Sequence, residues 1–404
     1  MTGIQQISFD NATRRLTLLW SDGRESVFPY IWLRHFLFHP ATGRPEQGPD
    51  DPCLIIEDPA VCALERVEHD GDCLRLCWSH DQSVTEHDAT FLRKNCPSPE
   101  AQRVRRLLPK TWVKSDAEAF AWFTGEDLTD PDRRLDTFRQ LRDYGLVLFR
   151  DIGSEPGTLP DIARYFGPIR RTHFGELFNV RSKPEDAKGT GAGIGATAAN
   201  AQAPHVDEDY RDNVPGISFF HCLKAATGGG GASIYVDGYA AAERLRATNP
   251  DAFEFLSKVP LLSEATRNPN ERFRSRSRAI AVDDDGVVRG VAMSDRTLPP
   301  LMLPIDLIEP AYKALAAFQR EIYDDNYALE RVLKPGECVV FDNHRILHTR
   351  RSFDPQAGER WLQQLSVDRD EFASTLQCLA LELGQNVEAE VEQDAGLLTQ
   401  VRSL

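Results

Sequence analysis

Hydrophobic and polar residues alternate over much of the first 97 residues in the way that short antiparallel strands require. Leu16–Ser21 (LTLLWS) returns as Leu74–Ser79 (LRLCWS). Each copy is followed by a Ser-Val pair and a Leu-Arg pair, at 26–27 and 33–34 and again at 83–84 and 92–93. Turn residues precede both copies. The pattern predicts a small N-terminal β-domain, residues 1–97, built from two copies of one β-module packed face to face.

After a linker at 98–112, which mixes Pro with basic residues, the pattern is typical of a larger domain. Leu135–Tyr144 is amphipathic at helical spacing and stops at Gly145, a residue typical of helix ends. We predict strands at 146–149, 217–222, 232–236, 339–341 and 361–367, and helices at 237–259, 310–326 and 370–383. The fold class is therefore mainly β with flanking helices over residues 113–384, followed by an acidic tail at 385–404.

The segment 181–204 is rich in Gly and Ala and is predicted to be flexible. It ends next to His205, so it could be a lid that orders over a substrate. An insert without function is the alternative.

The composition is that of an ordinary globular chain: 404 residues, 41% hydrophobic, 27% charged, with a net charge of −15. The negative charge argues against nucleic acid or an anionic membrane as a partner. No apolar run reaches the roughly 18 residues that span a bilayer. Because residues 1–6 also lack a signal-peptide pattern, we expect a cytoplasmic location, with a small molecule as partner and a homodimer as the assembly to test.

The first candidate chemistry is the pair His205 and Asp207. On an extended backbone two residues that are two apart point to one face. The pair could therefore bind one metal ion, and a later His would complete a 2-His-1-carboxylate set that favours Fe(II). Alone the pair is weak, since 62 acidic residues and ten His yield about one such pair by chance. A surface His beside acidic residues is the alternative.

The segment 334–361 contains the residues that the pair lacks. His348 follows a predicted buried strand and turn, and Arg360 lies twelve residues beyond it. Because Arg binds a carboxylate through two parallel hydrogen bonds, it suits the far carboxylate of a dicarboxylate cosubstrate. His-x-Asp, a late His and an Arg about a dozen residues on are the pattern of Fe(II)/2-oxoglutarate oxygenases.

Longer sequence words extend this match. They include Trp-Leu-Arg (32–34), Tyr-Gly-Leu-Val (144–147), Phe-Gly-x-x-Phe (174–178), His-x-Asp-x-x-Tyr (205–210) and Phe-Asp-Asn-x-Arg-x-Leu-His-x-Arg-Arg (341–351). In these words, from about residue 1 to 384, the chain resembles the γ-butyrobetaine and trimethyllysine hydroxylases of the taurine-dioxygenase-like group. The resemblance implies a double-stranded β-helix, or jelly-roll, and a dioxygenase that uses Fe(II), 2-oxoglutarate and O2.

The resemblance also implies roles for single residues. His205, Asp207 and His348 would be the catalytic iron ligands, and Arg360 would bind the distal carboxylate of 2-oxoglutarate. Ser233 and Arg350 are further candidates for the cosubstrate. A strand Ser that faces solvent and an Arg at a solvated edge are the alternatives for these two.

Phe174 and Phe178 keep aromatic character at two positions where the resembled enzymes cage a trimethylammonium group. Tyr210 matches the trimethyllysine branch. Glu208 follows the ligand pair and could bind a substrate cation, as could Asp209, unless both are solvated.

Thr197 and Ser366 stand where the γ-butyrobetaine branch has Tyr, which makes γ-butyrobetaine itself doubtful as substrate. Arg170 and Arg171 could instead receive a carboxylate or phosphonate.

The resembled N-terminal domains carry a structural zinc bound by Cys residues just after Trp-Leu-Arg. Here that position reads His35-Phe-Leu-Phe-His39, without Cys, so no zinc is expected. Cys73, Cys77 and His80 could form a substitute site only if their segment is not a strand, because four residues along a strand span roughly 13 Å, too far for two ligands of one zinc ion.

The sequence therefore predicts hydroxylation of an unactivated C–H bond in a small amine-, betaine- or amino-acid-like substrate, with release of succinate and CO2. Desaturation, demethylation or C–C cleavage of a small anionic substrate, and a scaffold without catalysis, are the alternatives.

Overall fold

The computed structural model of the chain describes residues 3–35, 38–39, 44–45, 58–71, 73–98, 108–182, 201–226, 230–268, 270–354 and 358–385. The chain forms two compact units, Met1–Arg106 and Leu107–Leu404. No helix of the described ranges is both long enough and apolar enough to cross a membrane.

The N-terminal unit contains two similar antiparallel modules, each of three strands followed by a short helix. The first comprises β1 (Ile4–Asp10), β2 (Arg15–Trp20), β3 (Glu25–Pro29) and α1 (Tyr30–His35). A short hairpin follows, β4 (Phe38–His39) and β5 (Arg44–Pro45). The second comprises β6 (Leu64–Asp70), β7 (Cys73–Trp78), β8 (Val84–Asp88) and α2 (Ala89–Lys94).

A buried tryptophan holds each module together in the same way. The indole N–H of Trp20 donates to Ser26 Oγ at 2.9 Å, and that of Trp78 donates to Thr85 Oγ1 at 2.9 Å. Ser26 therefore corresponds to Thr85, so the two Ser-Val pairs of the sequence repeat do not occupy equivalent positions. The apolar side chains of both modules share one core.

Two segments bear on the zinc prediction: residues 35–39 and the segment with Cys73 and Cys77. The side chains of 35–50 lie outside the described residues. The segment with Cys73 and Cys77 is a strand, with Cys77 buried and Cys73 half-buried.

The second unit is mainly β with helices outside. Its strands are β9 (Trp122–Phe123), β10 (Leu146–Phe149), β11 (Phe178–Ser182), β12 (Ile217–Lys224), β13 (Ser233–Asp237), β14 (Leu261–Asn268), β15 (Glu271–Ser277), β16 (Ile280–Val282), β17 (Val288–Val291), β18 (Ala328–Arg331), β19 (Cys338–Asp342), β20 (Ile346–Arg350) and β21 (Arg360–Val367). Its α-helices are α3 (Lys114–Glu118), α4 (Pro131–Tyr144), α5 (Thr158–Ala163), α6 (Gly238–Thr248), α7 (Pro250–Lys258), α8 (Ile305–Ile322) and α9 (Arg369–Glu382).

Two sheets form the centre of this unit. One has six strands in the order β11-β21-β12-β19-β10-β9, and the other has three in the order β18-β13-β20. Side chains from both sheets pack into one cluster that includes Phe341 of the larger sheet and Tyr235 of the smaller. The other face of the larger sheet packs against α4, α5 and α9, where Phe138, Phe219 and Phe372 share a core.

The connection from β19 to β20 passes from the larger sheet to the smaller. Arg345 in this connection is fully buried and forms an ion pair with Asp237 at 2.8 Å. Its guanidinium also donates to the carbonyl oxygens of Asp143 and Lys110. These contacts fix the start of β20, the strand that carries His348.

Three predicted segments lie largely or wholly outside the described residues. They are the centre of the Gly/Ala-rich segment (183–200, with Thr197), the core of the linker (99–107) and nearly all of the tail (386–404).

Candidate active site

Two histidines and one aspartate from distant parts of the chain meet at a bridge between β20 and the segment before β12. The backbone N–H of His205 donates to the carbonyl oxygen of His348 at 3.0 Å, and the reverse bond measures 2.9 Å. Asp207 Oδ1 lies 3.4 Å from His205 Nε2, and its Oδ2 lies 3.5 Å from His348 Nε2. The ligand atoms of all three side chains lie within 4.8 Å of one another. The structure thus brings together the three predicted ligands.

This donor set fits a ferrous ion. Two imidazole nitrogens and one carboxylate leave several coordination positions open, as Fe(II) oxygenases require. His205 Nδ1 lies 2.9 Å from the carbonyl oxygen of Ala203, so Nδ1 carries the proton and Nε2 keeps its lone pair towards Asp207. Within the described residues, this is the one cluster of three such side chains close enough to share an ion.

The environment keeps two of these ligands in their metal-binding forms. Burial lowers the pKa of His205 to about 4, so the imidazole is neutral at neutral pH. Burial alone would raise the pKa of Asp207, but the neighbouring imidazoles, His348 first, hold it well below its usual value. Asp207 is therefore ionised before any metal binds.

Two side chains hold Asp207 in position. The side-chain oxygen of Asn343 accepts the backbone N–H of Asp207 at 2.8 Å, and its amide donates to the Asp207 carbonyl oxygen at 3.0 Å. Gln364 Nε2 donates to Asp207 Oδ2 at 2.7 Å. Asn343 directly follows β19 and Gln364 lies on β21, so both supports are attached to the larger sheet. They orient the carboxylate as outer partners of metal ligands commonly do.

The three ligands open onto a cavity of about 350 Å³. All three residues that were predicted to contact the cosubstrate line it: Arg360, Ser233 and Arg350. Ser233 and Arg350 are buried and lie opposite each other in the β13–β20 pair, so neither faces solvent. Arg351 is exposed and pairs with Glu330.

Arg360 carries a positive charge into this cavity. Its side chain is buried over the ring of Phe353, and burial lowers its pKa. It makes no hydrogen bond or ion pair with any residue of the described ranges. The Arg350 guanidinium also lies over Phe353, and its pKa is lowered to about 10 by burial and then by the charge of Arg360. An anionic ligand would balance the charge of Arg360.

An aromatic wall lines another part of the cavity. The rings of Phe174 and Phe178 are 4.5 Å apart at their centroids, and both line the cavity. Tyr210 is fully buried, with its ring 5.6 Å from that of Phe273. The structure thus brings together the three predicted aromatic substrate residues.

Glu208 lines the cavity in a left-handed backbone conformation, with φ at 55°. Its carboxylate forms an ion pair with Arg211, and Arg211 Nη2 lies 2.8 Å from His173 Nδ1. The guanidinium of Arg211 stacks over Phe273 at 4.2 Å. The charge of Glu208 is therefore balanced from within the chain, which weakens it as a partner for a substrate cation.

Two further candidates are occupied by structural contacts. The Asp209 carboxylate accepts hydrogen bonds from Thr297 at 2.8 Å and Ser263 at 3.1 Å, and burial raises its pKa to about 6. Arg170 pairs with Asp368 at 2.5 Å. Arg171 is exposed and is not part of the cavity wall, whereas Ser366 is.

Sequence reasoning missed the residues that support the site. Asn343 was interpreted only as part of a turn, although it lies in the matching word 341–351. Gln364 was missed because a polar residue within a predicted strand is common and does not by itself indicate a functional contact. Arg211 and His173 were missed because the contact between them joins residues that are 38 positions apart in the sequence.

The chain is similar to known dioxygenases. The family model described as "Taurine catabolism dioxygenase TauD, TfdA family" matches residues 104–366. The gamma-butyrobetaine dioxygenase of Pseudomonas sp. (strain AK-1) is 29% identical over 366 residues, which cover 89% of this chain and 92% of that protein. The mitochondrial trimethyllysine dioxygenase of Bos taurus is 27% identical over 371 residues, covering 88% and 83%.

Among solved structures, a taurine dioxygenase from Burkholderia xenovorans matches with a TM-score of 0.47 at 15% identity. The match covers 65% of this chain and 90% of that one.

Proposed function

Because this chain belongs to the taurine catabolism dioxygenase TauD, TfdA family, and so is an Fe(II)- and 2-oxoglutarate-dependent dioxygenase, we propose that it hydroxylates a C–H bond of a small amine-, betaine- or amino-acid-like substrate. Succinate and CO2 are the accompanying products. When bound, Fe(II) and 2-oxoglutarate supply the oxidant for this chemistry, and the chain supplies position and exclusion of water.

The observation that carries the proposal is the meeting of His205, Asp207 and His348 at a cavity that also holds Arg360, a cation without a partner among the described residues. The three side chains would hold the iron through two Nε2 atoms and a carboxylate. Arg360 would bind the far carboxylate of 2-oxoglutarate through two hydrogen bonds. Ser233 and Arg350 would contact the same molecule. The two sheets would then be the halves of a double-stranded β-helix.

The substrate would lie against Phe174 and Phe178. Their paired rings present π-faces on which an ammonium group is attracted electrostatically. Tyr210, which lines the same cavity, would add a third aromatic ring to the substrate region. Glu208 would shape it mainly through the ion pair with Arg211, since its charge is already balanced. A cytoplasmic location and a homodimer stay predictions.

Succinate release tests the proposal. The chain is incubated with Fe(II), 2-oxoglutarate and O2, together with each of a panel of amines, betaines and amino acids. We expect at least one compound to stimulate succinate release, and His348→Ala to abolish that stimulation. Arg171→Ala, which changes an exposed residue that does not line the cavity, is the matched control. Stimulation that persists in His348→Ala, or no succinate with any compound, would contradict the proposal.

A further inference from the structure

Three charged side chains of the cavity wall are balanced by another charge of the chain. Glu208 pairs with Arg211, Arg170 pairs with Asp368, and Glu264 pairs with Arg274 at 2.7 Å. Glu208, Arg170 and Glu264 therefore add little net charge to the cavity wall. A charge that remains without a partner there is consequently available to a ligand.

Arg296 is such a charge. It lines the cavity, its side chain is exposed, and it makes no hydrogen bond or ion pair within the part of the chain that the structure describes. It lines the same cavity as the iron ligands His205, Asp207 and His348.

The backbone that carries Arg296 is fixed. It lies in a turn between Ser294 and Thr297, which both line the same cavity. The carbonyl oxygen of Met293, just before this turn, accepts the N–H of Val206, the residue between two iron ligands, at 3.1 Å. Thr297 Oγ1 donates to the Asp209 carboxylate at 2.8 Å.

The far side of the turn is tied as well. The carbonyl oxygen of Thr297 accepts the N–H of Glu264 on β14 at 2.7 Å. Hydrogen bonds thus hold the turn on two sides, and the backbone of Arg296 has a fixed position relative to the metal ligands. Binding of a ligand to Arg296 therefore costs little entropy for ordering this loop.

Arg296 belongs to a different part of the wall from the cosubstrate residues. Ser233, Arg350 and Arg360 lie on β13, β20 and β21 of the two central sheets, whereas Arg296 lies on a turn joined to β14. An acidic residue, Glu176, also lines the cavity and also lacks a partner among the described residues. In the sequence it lies between Phe174 and Phe178. The wall therefore offers an unpaired cation and, on another element, an unpaired anion beside aromatic rings.

We propose that Arg296 binds a carboxylate of the primary substrate and so selects a zwitterionic compound over a simple amine. This inference rests on the proposed function. The planar guanidinium suits bidentate binding of a carboxylate, and such charge-assisted hydrogen bonds are the stronger ones. Arg296 is thus a specificity-determining residue of the site.

The test compares matched ligands that differ only in the carboxylate. The pairs are 4-trimethylammoniobutanoate with butyltrimethylammonium, and 4-aminobutanoate with butylamine. Binding of each is measured by calorimetry on the full chain loaded with Fe(II) and 2-oxoglutarate without O2, so that no turnover is needed. The variants are Arg296→Met and Arg296→Lys, with Arg276→Met as control. Arg276 is also exposed and also lacks a hydrogen-bond or ion-pair partner within the described ranges, but it does not line the cavity.

In at least one pair, the wild-type chain is expected to bind the carboxylate-bearing member about tenfold or more tightly than its partner. This ratio falls to about one in Arg296→Met, is largely kept in Arg296→Lys and is unchanged in Arg276→Met. Equal or undetectable binding of both members in both pairs by the wild-type chain overturns the proposal. So does a ratio that survives in Arg296→Met, or a loss of 2-oxoglutarate binding in that variant, which would assign Arg296 to the cosubstrate.

The outcome is distinguishable from failure of the proposed function. If no compound stimulates succinate release, the hydroxylase proposal fails whatever the binding ratios are. If succinate is released but the ratios do not depend on Arg296, only this inference fails.

Discussion

Three hydrogen bonds from two side chains fix Asp207 at the centre of the site. Asn343 binds its backbone on both sides, and Gln364 binds its carboxylate. Because the carboxylate must face two imidazoles at once, its rotation would remove a ligand without unfolding anything. The position of this ligand depends on residues that do not touch the metal.

Replacing Gln364 by Leu should weaken metal binding about tenfold, because the hydrogen bond to Asp207 Oδ2 is lost while the side-chain volume is nearly kept. Affinity for Fe(II) or Mn(II) is measured by titration without O2. The matched control is Gln363→Leu, on the same strand, whose side chain binds Asn179 instead. Equal metal affinity in the two variants would show that the bond to Asp207 has no role in positioning it.

Replacing Arg360 by Met should raise the 2-oxoglutarate concentration needed for half-maximal turnover by about 10- to 100-fold, since a charge-assisted pair is lost. The buried stem of the side chain is largely kept by Met. Arg351→Met removes an exposed Arg that pairs with Glu330 and should leave this concentration unchanged. A similar rise in both variants would point to a general electrostatic effect rather than to contact with the cosubstrate.

For single residues, the sequence predicts the iron and cosubstrate ligands, but it does not predict which charged side chains of the cavity wall are paired with each other. His205, Asp207, His348 and Arg360 could be identified because their chemistry needs those residue types at those spacings. Whether Glu208 is available to a ligand depends on Arg211, and that contact becomes visible only in the fold.

Among the elements, the strongly patterned segments agree best with the sequence. The helix predicted at 135–144 is α4, and it ends at Gly145, whose φ of 72° favours glycine. The strand predicted at 361–367 is β21, longer by one residue. The single helix predicted at 237–259 is two helices, because Asn249 caps the second and Pro250 occupies its first turn.

The hairpin β14–β15 was missed. Its strands are rich in charged and hydroxyl residues, and several side chains are exposed, so no apolar alternation marks them. The same hairpin supports the turn that carries Arg296.

The repeat in the N-terminal unit has one chemical difference that predicts a pH dependence. His87 on β8 occupies the place of Phe28 on β3, and both are buried. Burial lowers the pKa of His87 to about 4, so the folded chain keeps this ring neutral while the unfolded chain protonates it below about 6.5. The contribution of the neutral His87 ring to the free energy of unfolding is therefore complete above pH 6.5 and is lost as the pH falls towards 4.

The substitution His87→Phe should remove this loss of stability at low pH, because Phe has no group that titrates. The free energy of unfolding of the variant relative to the wild-type chain should rise by up to about 3 kcal/mol between pH 7 and pH 4. Hydrogen exchange of the β7 and β8 amides, compared at equal pH, measures it. His69→Phe, at an exposed position of β6, serves as control. A difference that does not change with pH would contradict a neutral buried His87.

For the whole molecule, the two units are expected to respond differently to ligands. All predicted metal and cosubstrate residues lie in Leu107–Leu404. A ligand that binds only the folded state stabilises it by about 2.7 kcal/mol at 100 times its Kd. Fe(II) with 2-oxoglutarate should therefore raise the Tm of this unit by roughly 5 °C.

Calorimetric melting with and without these ligands checks this expectation. The transition of Met1–Arg106 should not shift, and His348→Ala should abolish the shift of the larger unit. An equal shift in His348→Ala would show that the ligands act elsewhere.

The same scale shows what a single sequence can predict. The order of many short matching words indicates the family and with it the fold class and the cofactors. The substrate depends on side chains whose state is decided by partners distant in sequence, such as Thr297 for Asp209. The substrate-binding part of the site therefore depends on contacts that form only in the folded chain.

Anaerobic titration with Fe(II), followed by 2-oxoglutarate, tests the central claim most directly because it needs no knowledge of the substrate. The account predicts one tightly bound Fe(II) per wild-type chain, and none at this site in His205→Ala or His348→Ala. It also predicts that 2-oxoglutarate binds at least about tenfold more tightly to the iron-loaded chain than to the metal-free one. A wild-type chain that binds no Fe(II), or a His348→Ala chain that binds it equally well, would contradict the account.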